Sequence, residues 1–209
     1  MNKFTRRTVI AAACAAAAMT FAPMSFAQQA PEKKDVTIAV GGKSLYYYLP
    51  LSIAEQLGYF KDEGLNVKIV DFQGGSRSLQ AVVGGSADVV SGAFEHTISM
   101  QAKKQPMTAF VLQGRAPQLA LVVSNKTMKD YKQLSDLKGK KVGVTAPGSS
   151  SQMVANFILK KGGLGPKDVA FIGVGSSSGA VSAIRSGQID ALINLDPVIT
   201  ILLKSGDAK

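Results

Sequence analysis

Apolar positions in this chain alternate between two textures: short unbroken runs, and longer stretches where apolar residues recur every three or four positions. Val142-Gly143-Val144 is a run of the first kind, as expected of a strand buried on both faces. Pro147-Gly148 stops it, and Val154, Phe157 and Ile158 then follow at helical spacing. Read this way, the chain predicts strands over 36–40, 67–71, 88–91, 107–113, 119–123, 142–144, 169–173 and 190–193. It predicts helices over 50–57, 76–83, 94–104, 126–137, 149–161 and 180–186, and a last one from 197. Pro50 suits a first helical turn, and Gly58 closes that helix. Regular alternation of the two textures gives an α/β class with mostly parallel sheets.

One pattern occurs twice. Ala81-Val82-Val83-Gly84-Gly85-Ser86-Ala87-Asp88-Val89 matches Ala183-Ile184-Arg185-Ser186-Gly187-Gln188-Ile189-Asp190-Ala191. Both read as helix, glycine cap, then Asp at the head of a buried strand. Two topologically similar halves are expected, a first lobe over 36–118 and a second over 119–209. Arg115-Ala116-Pro117 is the expected crossing between them.

Three Gly/Ser-rich turns stand between a strand and a helix: Gly74-Gly75-Ser76-Arg77-Ser78, Gly148-Ser149-Ser150-Ser151, and Gly175-Ser176-Ser177-Ser178-Gly179. A helix start offers free N–H groups, the positive end of the dipole and nearby hydroxyls, which suit a small anion. In open α/β sheets such turns collect at the carboxyl ends of the strands, where ligands bind. The same hydroxyls also serve as plain helix caps.

The leader changes the picture of where the chain works. Lys3, Arg6 and Arg7 precede an apolar run over 9–22, and Ser25-Phe26-Ala27 fits a cleavage site. Residues 1–27 are therefore expected to be a signal peptide and 28–35 a polar tether. Thr5-Arg6-Arg7-Thr8-Val9-Ile10 resembles a twin-arginine signal, with ordinary Sec export equally open. Cys14, the single Cys of the sequence, lies inside the leader, so disulfides, thiol catalysis and Cys-rich metal sites are excluded from the mature chain. The formal charge of +10 rests on scattered Lys rather than a basic run with interleaved aromatics, which argues against nucleic acid.

Several of these segments, taken in order, resemble the periplasmic substrate-binding proteins of the nitrate/sulfonate/taurine branch of ABC import, the NMT1/THI5-like family. The matching residues are Gly58-Tyr59-Phe60, Glu63-Gly64-Leu65-Asn66-Val67, the repeated Gly-x-x-Asp, Leu137 to Val144, Gly148-Ser149, Gly187 to Ala191, and Asp196-Pro197. The resemblance implies a type II periplasmic-binding-protein fold with two α/β lobes and a small anionic solute held between them. It implies a monomer that delivers its solute to a permease, with no enzymatic activity, cofactor or metal. Such proteins continue further and return to the first lobe, so the closing elements of that lobe are expected to be missing here. Pyrimidine-synthase relatives carry a catalytic His in a metal-dependent context. His96 is the single His here and has no Cys motif beside it, so that activity is not carried over. An exported enzyme of small-molecule metabolism and a receptor serving a sensor remain the alternatives.

The candidate ligand residues are Ser44, Tyr46, Gly75, Ser76, Arg77, Phe94, Glu95, Gly148, Ser149, Ser150, Ser176 and Asp196. Arg77 offers a fork for a sulfonate or carboxylate. Of the three successive tyrosines at 46–48, at least one must face the core. Asp196 either receives a cationic part of the ligand or caps the last helix.

Overall fold

A computed structural model describes residues 31–209. The expected signal peptide and the first three residues of the tether lie outside the described residues. The first part runs β1 (Asp35–Val40), α1 (Leu49–Gln56), α2 (Tyr59–Asp62), β2 (Asn66–Asp71), α3 (Gly75–Val83), β3 (Val89–Ser91) and α4 (Glu95–Ala102). The second runs β4 (Ala120–Val123), β5 (Lys141–Val144), α5 (Ser150–Lys161), β6 (Ala170–Gly173), α6 (Ser178–Ser186), β7 (Ala191–Asn194) and α7 (Val198–Lys204).

These strands form two sheets, one ordered β2-β1-β3 and the other β4-β7-β5-β6. All pairings are parallel except β4 against β7. The fold is thus α/β with mostly parallel sheets flanked by helices. β7 shows why its sequence is continuously apolar. Leu192 packs with Val122, Ile184 and Leu202 on one face. Ala191 and Ile193 pack with Val144, Ala155 and Leu159 on the other. Side chains alternate across a strand, so a strand covered on both sides needs apolar residues at every position. In the smaller sheet Ile38 and Val40 pack with Leu45, Tyr48 and Leu195, which follows β7. Backbone continues that junction, with the Tyr46 N–H donating to the Asp196 carbonyl at 3.0 Å.

The repeated Gly-x-x-Asp makes the same clasp in each sheet. The Asp88 N–H donates to the Thr37 carbonyl at 2.9 Å, and the Thr37 N–H returns a bond to Asp88 Oδ2 at 2.9 Å. The Asp190 N–H donates to the Lys141 carbonyl at 2.8 Å, and the Lys141 N–H returns one to Asp190 Oδ2 at 2.9 Å. Each aspartate therefore registers the head of its own strand against a parallel neighbour.

Two expected elements do not form. Residues 107–113 are not a strand, and Phe110, Val111 and Leu112 are each more than 70% exposed. The smaller sheet ends at β3, and strand propensity without a neighbouring ladder leaves backbone groups with no reason to extend. Residues 126–137 are not a helix; a short 3-10 turn at Leu134–Leu137 is the helical piece there. Met128, Tyr131, Leu134 and Leu137 of this stretch still reach the core of the larger sheet, so its apolar residues are buried without a helix. Asp136 holds the turn instead, accepting the N–H groups of Lys132 and Gln133 at 2.8 and 3.0 Å.

Candidate functional site

The connections that follow the strands of both sheets converge on one cavity of about 230 Å³. From the smaller sheet come Gly41 after β1, Tyr47 and Tyr48, Gly75 at the start of α3, and Phe94 and Glu95 at the start of α4. From the larger sheet come Thr145 after β5, Ser150, Ser151, Met153 and Val154 at the start of α5, and Leu195 after β7. The crossing segment 114–117 completes the wall, with Arg115. Parallel strands put all these turns at one end, which is why distant segments meet.

Tyrosines fix one side. Tyr48 is 4% exposed, and its hydroxyl accepts the Gly41 N–H at 3.1 Å. Burial pushes its hydroxyl pKa up to about 12, so it stays a neutral phenol. The Tyr47 ring meets it edge to face at 5.0 Å. The Tyr47 hydroxyl donates to the Gly92 carbonyl at 3.3 Å. Burial, and then the nearby Glu95 carboxylate, raise its pKa too. Gln113 braces the crossing segment against this side, donating to the Tyr47 carbonyl and accepting from the Ser91 hydroxyl, each at 2.8 Å. Asp71 ties the loop after β1, accepting the N–H groups of Gly42 and Lys43 at 2.7 and 2.8 Å.

Four of the sequence candidates line the cavity: Gly75, Phe94, Glu95 and Ser150. Phe94 is 66% exposed and stands at its mouth. Glu95 Oε1 is buried and has no hydrogen-bond partner. The other candidates are not in the cavity wall. Ser44, Tyr46 and Arg77 are exposed, and Arg77 donates to Gln80 Oε1 at 3.4 Å on its own helix. Asp196 caps the last helix, where Oδ1 accepts the Thr200 N–H at 2.9 Å and the Thr200 hydroxyl at 2.8 Å.

The remaining serines meet across the two sheets. Ser149 is buried, and its hydroxyl accepts the Ser76 N–H at 3.0 Å and donates to Ser76 Oγ at 3.1 Å. Ser76 Oγ in turn donates to the Pro147 carbonyl at 2.8 Å. Ser176, also buried, packs where Gly42 has no side chain and a φ of +115°. A Cβ on Gly42 would collide with the Ser176 hydroxyl, so glycine is what allows this approach. The Gly148 N–H donates to Gln152 Oε1 at 2.7 Å. Ser151 secures Thr145, accepting its N–H at 3.0 Å and bonding its hydroxyl at 2.9 Å.

His96, beside Glu95, is 6% exposed, and its Nε2 has no hydrogen-bond partner. It faces Gly75, where a Cβ would stand 3.1 Å away. Burial holds its pKa below the ordinary value, against the pull of Glu95 and with the push of Lys103. The site list drawn from sequence lacks Tyr47, Tyr48, Thr145, Met153 and Arg115. The signal for Arg115 was present in the chain, because a segment that crosses between two halves must pass the space between them. The tyrosines gave no such signal, since spacing alone does not say which of three adjacent rings turns inward.

Comparison with known proteins places these features. Residues 46–202 match the model of the family described as NMT1/THI5 like. A Bordetella bronchiseptica protein of solved structure is 65% identical, with a TM-score of 0.83, over 85% of this chain and 56% of its own. The alkanesulfonate-binding protein SsuA from Xanthomonas axonopodis pv. citri, solved with bound MOPS, shares the fold at 22% identity and a TM-score of 0.64. That match covers 86% of this chain and 61% of SsuA. The 4-amino-5-hydroxymethyl-2-methylpyrimidine phosphate synthase of Schizosaccharomyces pombe is 27% identical over 77% of this chain and 45% of its own length. The chain thus spans about half the length of this curated relative. With the family model covering every strand except β1 and every residue of the cavity wall except Gly41 and Leu45, the chain belongs to the NMT1/THI5-like family.

Proposed function

We propose that this protein is an extracytoplasmic solute-binding protein that captures a small acidic solute and delivers it to the permease of an ABC importer. The observation that carries this reading is the cavity, whose wall comes from the strand ends of both sheets. A solute touching both sides favours the closed arrangement over an open one by its differential contacts, and that closed shape is what a permease can read. The start of α5 supplies Ser150 and Ser151, Thr145 adds a hydroxyl and Arg115 a cation, all on the wall. Together they suit the acidic group of a sulfonate or carboxylate. The family and the leader-like first 27 residues support export to the periplasm, and the protein acts as a monomer in this reading.

A thermal-shift screen of sulfonates, nitrate and small carboxylic acids, followed by calorimetry on each hit, tests the proposal. Stabilisation by at least one acid, with micromolar affinity, is expected. A second reading, an exported enzyme of pyrimidine metabolism, draws its support from the Schizosaccharomyces pombe relative. Chemical turnover of a hit compound would favour it over simple capture.

A further inference from the structure

We infer that Ser76 and Ser149 form a latch between the two sheets' connections. It biases the cleft toward its closed arrangement through contacts between protein atoms alone, and so scales the affinity for every solute by one common factor. This rests on the reading of the cavity as a solute site that opens and closes. The start of α3 has no cap of its own, because its N-cap is Gly74, and Ser149 makes no side-chain bond to α5. The first turn of α3 is completed from the other sheet instead. The Ser76 N–H donates to Ser149 Oγ at 3.0 Å, the Ser149 hydroxyl donates to Ser76 Oγ at 3.1 Å, and the Ser76 hydroxyl donates to the Pro147 carbonyl at 2.8 Å. Separating the two turns breaks these bonds together and returns the buried Ser149 to water. Around them the sheets' connections touch through glycine. A Cβ on Gly74 would stand 3.0 Å from Ala146 Cβ and from Thr145 Oγ1, and Ser176 fills the space beside Gly42. Ser76, Ser149 and Ser176 all lie outside the cavity wall, so the latch does not distinguish one solute from another. Where only the closed arrangement binds, apparent affinity scales with the closed fraction, and a few hydrogen bonds that favour closure strengthen all affinities alike.

The test places spin labels at Gln80→Cys and Lys160→Cys, exposed positions on α3 and α5, in the full-length chain carrying Cys14→Ser. Pulsed electron resonance reads the distance between them with no solute added. Two variants attack the latch differently: Ser76→Ala/Ser149→Ala removes its side-chain bonds, and Gly74→Ala wedges a methyl group between the turns. Both should shift the distances to longer values than in the otherwise unaltered chain, with circular dichroism showing unchanged helix content. By calorimetry, each variant should weaken binding of ethanesulfonate and of benzoate by the same factor, about threefold to tenfold. Unchanged distances in either folded variant overturn the inference. A loss that falls on one probe and spares the other overturns it as well, because these serines would then be solute contacts. Longer distances with neither probe binding any form support the latch and count against the cavity as a site for acids.

Discussion

The hydroxyl of Ser149 caps a helix to which it does not belong. It accepts the N–H of Ser76, 73 residues earlier and in the first turn of α3, at 3.0 Å. Ser149 occupies the N-cap position of α5, yet it makes no side-chain bond to that helix. A local cap has become a bond between the two sheets' connections.

Ser149→Ala should therefore destabilise the protein by about 1–2 kcal/mol, the cost of a lost cap with a donor left in poor company. Ser76→Ala removes the hydroxyl bridge to Pro147 and Ser149 but keeps the N–H. The two residues share partners, so the double variant should depart from additivity by about 0.5 kcal/mol or more. Urea unfolding of the four proteins in the cycle measures it. Strict additivity would show that the contact contributes nothing.

Tyr48→Phe should cost about 1–3 kcal/mol, although the ring is kept. The Gly41 N–H loses its acceptor in a buried site. The effect is expected on unfolding free energy. A midpoint equal to that of the wild type would show that Gly41 finds another acceptor.

The two aspartate clasps should be unequal. Asp88 is exposed and Asp190 half-buried, so solvent competes more strongly for the first. Asp190→Ala is expected to lower stability by about 1 kcal/mol and Asp88→Ala by less. Asp88 carries the additional partner Lys33, which with the Thr37 N–H holds its carboxyl below the usual range. High salt should reduce the Asp88 effect further while sparing the Asp190 one. Denaturant midpoints at two ionic strengths compare them.

His96 makes stability depend on pH in a definite sense. Burial lowers its folded pKa beneath the ordinary 6.5, so the unfolded chain binds the proton more readily. Its stabilising contribution is complete above the unfolded value and is lost as pH falls through the lowered folded value. Glu95 opposes the shift, while Lys103 reinforces it. Wild type should lose more stability than His96→Gln between about pH 7.5 and about pH 5.5. Identical losses in the two proteins would remove His96 as the source.

Local pattern carried much of this architecture. Val142-Gly143-Val144, Gly58 and the repeated Gly-x-x-Asp each encode a short-range necessity: apolar residues on two covered faces, a left-handed helix end, a strand head. Such signals depend on neighbours in sequence, so the α/β class and most strand and helix positions were legible in the chain itself. Tertiary structure decided the rest. Residues 107–113 have strand-like composition, but a strand exists only where another offers a ladder. Ser149 and Ser150 are chemically identical and adjacent. One turns to Ser76 and the other to the cavity, because the approach of two distant turns fixes which hydroxyl finds which partner. Tyr46, Tyr47 and Tyr48 divide into an exposed ring, a cavity wall and a core residue for the same reason. The buried oxygen of Glu95 belongs there too: its residue type is written in the sequence, but its isolation from water arises only in the folded chain.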